Sequence, residues 1–264
     1  MKKVMSLLLA ICVSFLAIVP SFAVAPSVDD QIAYLQNLGV PEYLFGYISN
    51  QQIYDLYMDS QSLILGDVEE ASVPLYTDGE VSTYGTIPEA DMSFSIIQAP
   101  FFKSDNITYD HITIFVVYNW AVGHPLTRGE DGVAVNWNED LFYVESKSFS
   151  SSDKVFSGDT LVNSITTRRL SASSQGGLGY TVTFPPVHDA GTIFSFSGSA
   201  GFDLKPVGTM YRNGTRSTTV NAEYCHNKSF IGSVGFTYEG FGVTITPPVM
   251  SDSAAVNLRI DYRQ

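Results

Sequence analysis

Two tryptophans offer the most suggestive chemistry in this chain. Trp120 and Trp137 each follow an asparagine, Asn119 and Asn136, at the end of an apolar run. An aromatic face beside a polar amide is what a sugar site uses, with the ring as platform and the amide as orienting group. Side-chain parity offers a competing reading. Val116, Tyr118 and Trp120 share one side of the first run, and Val133, Val135 and Trp137 share one side of the next. Both indoles therefore also fit a core. Between the two runs lies Arg128-Gly129-Glu130-Asp131-Gly132, an acidic loop flanked by glycine. Such loops can hold calcium through carboxylate and carbonyl oxygens, and Glu130 and Asp131 are the candidate ligands. The loop lacks the alternating acidic positions of a regular calcium loop. No other cofactor is implied.

Other chemistries find less support. His111, His124, His188 and His226 lie far apart, and none has a partner at metal-ligand spacing. A nucleophile elbow of the form G-x-S-x-G is absent. Ser151-Ser152-Asp153-Lys154 and Ser104-Asp105-Asn106 match two elements of the penicillin-binding set, but in the wrong order and without K-T-G. Glycoside hydrolysis needs two carboxylates facing one cleft. Glu130, Asp131, Glu139, Asp140 and Glu145 are near one another along the chain, which is weak support. Without Cys12 in the leader described below, Cys225 is the only cysteine, so no disulfide forms within the mature chain. Nothing in its surroundings lowers its pKa, so it reads as a small packed side chain. The alternating strands could also supply a membrane-inserting hairpin, as in exported pore formers, although soluble sandwiches show the same alternation.

Compartment and charge narrow the field. Lys2 and Lys3 precede an apolar run from Val4 to Val19, and Pro20 and Ala23 follow. This is the pattern of a cleaved secretory signal, with cleavage expected after Ala23. The chain is expected to be secreted, in the medium or at the cell surface of a bacterium, without a further transmembrane segment. Twelve acidic residues and no Lys or Arg lie between positions 24 and 91. That imbalance argues against nucleic acid, whose phosphates need clustered cations. It fits a solvated segment, or a docking surface for a basic partner.

These residues must be positioned by two kinds of element. Ser27 with Asp30, and Ser49 with Gln52, have capping-box spacing and predict helix starts. Pro41 can open a short helix between them. Residues 66–91, with scattered glycine and proline, read as an extended linker. From Met92 the period becomes two. Phe194, Phe196, Gly198, Ala200, Phe202 and Leu204 alternate with Ser195, Ser197, Ser199, Gly201, Asp203 and Lys205. The run from His111 to Tyr118 is apolar on both faces and predicts a central strand. Asn213-Gly214 and Glu239-Gly240 predict hairpin turns. The expected architecture is mainly β: an antiparallel two-sheet β-sandwich of about eight to ten strands, preceded by short α-helices. The expected divisions are a signal at 1–23, an acidic helical segment at 24–65, a linker at 66–91 and the sandwich at 92–264. The expected role is non-enzymatic binding or adhesion to a cell-surface glycan or a protein. A carbohydrate-binding module using Trp120 and Trp137, a secreted hydrolase and a pore former are the alternatives.

Overall fold

The structure is a computed structural model that describes residues 26–72, 85–87, 91–123, 130–145, 148–184, 193–228, 234–240, 242–248 and 251–264. The expected signal segment lies outside the described residues, as do Arg128, Gly129, His124 and His188. Among the described residues, no helix is long and apolar enough to cross a membrane.

The fold is a β-sandwich. The first sheet is built from β1 (Ile64–Leu65), β2 (Glu69–Ser72), β4 (Met92–Phe102), β5 (Tyr109–Trp120), β7 (Phe142–Val144), β8 (Ser150–Ser157), β9 (Thr160–Thr167) and β12 (Ser195–Pro206). Its order is β1-β4-β5-β12-β8-β9, with β2 also on β4 and β7 also on β12. The second sheet holds β3 (Gly85–Thr86), β6 (Asp131–Asn136), β10 (Ala172–Ser173), β11 (Gly177–Val182), β13 (Tyr211–Asn227) and β16 (Ser251–Arg263). It runs β10-β11-β6-β13-β16-β3. Every pairing is antiparallel except β3 with β16. The strands outnumber the expectation because 92–264 alone holds thirteen among the described residues, and residues 66–91 are not a bare linker. They supply β2 to the first sheet and β3 to the second.

Strand parity sets the core. Phe196, Ala200, Phe202 and Leu204 of β12 and Ile112, Ile114, Val116 and Tyr118 of β5 form one core with Val133, Val135, Tyr180, Val256 and Ile260 of the second sheet. β5 is central, as its two apolar faces predict. Burying one such side chain stabilises the fold by about 1.5–3 kcal/mol.

Both outer faces carry a further layer. On the first sheet lie α1 (Val28–Asn37), α2 (Leu44–Tyr47) and α3 (Asn50–Ser62). Both expected capping boxes are present. Helices this short are not stable alone. Leu35, Leu44, Ile48, Ile53 and Leu56 pack on Ile97, Phe101, Phe115 and Val117, which supplies the missing burial. The second sheet carries a hairpin of β14 (Gly235–Glu239) and β15 (Gly242–Thr246), turned at Gly240 as expected. Asn213-Gly214 makes no hairpin. Tyr211 pairs with Arg263 and Arg216 with Tyr262, so one strand continues on the same neighbour past an irregularity, and Asn213 takes the positive φ that it needs.

Candidate functional site

The middle of the polar face of β12 does not meet solvent. Ser197 and Ser199 are buried beneath the helices, and they form part of a polar floor. Ser199 Oγ donates to the Tyr47 carbonyl over 3.1 Å. Lys154 Nζ donates to the carbonyls of Gly46 at 2.7 Å and Ile48 at 3.0 Å, closing the end of α2. Burial lowers the Lys154 pKa to about 8. Gln52 completes the capping box of α3 with its Oε1, and its Nε2 donates to the Ser150 carbonyl at 3.1 Å. These bonds fix α3 over the sheet at a set height.

A cleft of about 400 Å³ remains between α3 and the sheet. α3 contributes Gln51, Asp55 and Asp59 to its lining. β5 adds Thr113 and Phe115, and β12 adds Gly201, Phe202 and Asp203. Glu145, Phe149 and Arg168 complete the wall. Gly201 is required here, because a Cβ would stand 2.9 Å from both Gln52 Nε2 and the Phe115 ring.

The carboxylates differ in their surroundings. Burial raises the pKa of Asp203, although Thr113 Oγ1 donates to it at 2.8 Å. Burial also raises Asp55, against a hydrogen bond from Gln51. Glu145 is paired with Lys205 Nζ at 2.8 Å. Asp59 lies 3.4 Å from Nε2 of the buried His111, an ion-pair distance. Nδ1 of the same ring meets Asp110 at 3.0 Å. Burial opposes the proton on His111, but Asp59, Asp203 and Asp110 outweigh it and raise its pKa. The cleft thus holds acids with raised pKa beside acids already paired with cations.

The residues singled out from sequence lie elsewhere. Trp120 and Trp137 are buried, at 3% and 6% exposure, so neither presents a stacking face at the surface. Trp137 Nε1 donates to the carbonyls of Phe142 at 3.2 Å and Gln175 at 3.1 Å. Trp120 Nε1 donates to Tyr224 Oη at 3.2 Å, and that hydroxyl donates to Asp131 at 2.6 Å. The structure therefore joins two candidates, Trp120 and Asp131, in one buried chain. Asp131 also meets His226 Nδ1 at 2.9 Å and accepts from the Asn227 N–H at 3.0 Å. Its carboxylate is committed inside, whereas Glu130 is exposed, so the calcium expectation loses one of its two ligands. Asn136 exchanges two hydrogen bonds with the Val243 backbone, at 2.7 and 3.0 Å, and pins the outer hairpin to β6. Asn119 is half-buried on β5. Among the described residues, no three His, Cys, Asp or Glu side chains group as a metal site. Burial pushes the Cys225 thiol up to about 12, which leaves it unreactive.

Of the acids grouped along the chain, only Glu145 lines the cleft. The other acids there, Asp55, Asp59 and Asp203, come from two distant stretches, and no local motif announces them. The one available signal is the polar face of β12, which carries Asp203. No protein-family model matches the chain, and no curated protein matches it.

Proposed function

We propose that this is an exported, non-enzymatic binding protein whose ligand seat is the cleft beneath α3. The N-terminal pattern at residues 1–23 supports export. The observation that carries the binding reading is the cleft itself. It has a size typical of small-ligand sites, Phe115 in its floor and convergent carboxylate, amide and hydroxyl groups. Those groups suit a polyhydroxylated ligand, one or two sugar units of a cell-surface glycan. Calorimetric titration of the secreted chain with a panel of neutral and amino-sugar oligosaccharides tests this. Binding should fall at least about tenfold in Gln51→Ala and Asp55→Ala, the loss of a hydrogen bond to a polar ligand. A blank across the panel, from protein with native tryptophan emission, overturns the proposal.

A specific observation favours a second reading. Burial raises the pKa of Asp203, whereas Glu145 and Asp59 are paired with cations. Two acids whose surroundings push them apart in a single cleft are what glycoside hydrolysis uses. Release of reducing ends from the same panel, abolished in Asp203→Asn, would replace binding with hydrolysis.

A further inference from the structure

The sheet edges of this protein are guarded unequally. An exposed edge strand offers unpaired N–H and C=O groups to any other strand, and proteins blunt such edges with short strands, charges or proline. In the second sheet one edge is the two-residue β10, and on the other β3 covers two residues of β16, whose remainder carries the charges of Arg259, Asp261 and Arg263. On one side of the first sheet, β1 has two residues, and β2 carries Glu69 and Glu70. β9 is different. Its eight residues, Thr160-Leu161-Val162-Asn163-Ser164-Ile165-Thr166-Thr167, contain no charge and no proline. Leu161 and Val162 are 51% and 49% exposed. Among the described residues, no strand pairs with its outer side. One bulge, at Val162, interrupts its ladder with β8, and Asn163 to Thr167 is regular.

The ends of β9 say what fits there. Asp159 precedes the strand, and Arg168 and Arg169 follow it. In a chain of net charge −13, most surfaces repel a second copy. An uncharged strand with opposite charges at its two ends is the exception. Laid antiparallel on its own copy about a two-fold at Ser164, it pairs Asn163 with Ile165 and brings Asp159 beside the second copy's Arg168 and Arg169. Such a contact is isologous and closed.

We propose that the chain forms a two-fold dimer through antiparallel pairing of β9 with β9 of a second copy, making one continuous sheet. The axis runs perpendicular to that sheet, so both helical layers and both clefts face the same side. A surface glycan would then be engaged twice, which raises avidity without a new contact. An eight-residue strand pair is smaller than a standard interface of about 1,600 Å², so the dimer should dissociate in the micromolar range.

Sedimentation of the secreted chain between about 1 and 200 µM tests this. The expected result is a monomer–dimer equilibrium. Ser164→Glu, at an exposed position, sets two carboxylates face to face across the axis and should shift dissociation at least about tenfold, with circular dichroism unchanged. Asp159→Lys should weaken the dimer, and adding Arg169→Glu should restore it. A monomer at every concentration overturns the proposal. So does a dimer indifferent to Ser164→Glu, or a charge swap without recovery. None of these outcomes bears on glycan binding by the monomer.

Discussion

Raising the pH from 5 to 8 should destabilise this protein, and Asp153 should carry a separable part of the loss. Asp153 is 1% exposed, between the sheets. Tyr118 Oη donates to it at 2.8 Å and the Thr183 N–H at 3.2 Å. Burial outweighs both bonds and raises its pKa from 3.8 to about 7. The unfolded chain releases this proton near pH 4, whereas the folded chain keeps it to near neutrality. Across that window the folded state binds more protons, so stability falls as pH rises and levels off above the folded value. Between pH 5 and the folded value near 7, two pH units at 1.36 kcal/mol each give about 3 kcal/mol, against a typical total of about 5–15. Asp153→Asn removes the titration. It keeps an acceptor for Tyr118 but loses the one for Thr183, a cost of about 1–2 kcal/mol at pH 5. Urea unfolding at several pH values, followed by tryptophan fluorescence, reads the difference. The variant should be the weaker protein at pH 5 and the stronger at pH 8. Asp131, Asp203 and His111 have folded pKa values shifted upward too, and so lose stability with rising pH, but they are common to both proteins. Parallel stability curves for wild type and variant would refute the reasoning.

Gly198→Ala should cost about 1–3 kcal/mol, since a Cβ there would lie 2.6 Å from Tyr118 Oη in a packed core. Chemical denaturation measures it. Lys154→Met should lose the two bonds to Gly46 and Ile48 and speed amide exchange over residues 44–62, with the sandwich strands unchanged. Exchange that rises uniformly over the chain would contradict this. Trp120 and Trp137 should emit at short wavelength and resist acrylamide, and ready quenching would contradict their burial.

Local rules made the elements legible. Ser27 with Asp30 and Ser49 with Gln52 mark helix starts because capping is a contact between near neighbours. Period two places β12 and its apolar side, and two apolar faces place β5 in the middle. Parity also contained the tryptophan answer, since the core side it assigned is where both indoles lie. What sequence could not show was the covering of a polar face. Ser197, Ser199 and Asp203 alternate as solvated residues would, yet helices that begin some 150 residues earlier lie over them. Long-range register hid Gly198 as well. It lies between Tyr118 and Asp153 in the ladder, and only that neighbourhood explains why the strand has no side chain there. The Asp131–His226 contact was hidden for the same reason, its partners being 95 residues apart.

The helical layer reverses the order in which this chain can fold. α1, α2 and α3 precede in the chain every strand they rest on. Their anchors come late, for Tyr47 waits for Ser199, 152 residues on, and Gln52 waits for Ser150, 98 residues on. Segments this short do not hold together alone, and although their apolar seat on β4 and β5 follows directly, the polar bonds that fix them wait for β8 and β12. The leading part of the polypeptide is therefore fixed in its final place only when the later strands are folded. The cleft is completed last, because its walls come from elements as far apart in the chain as α3 and β12.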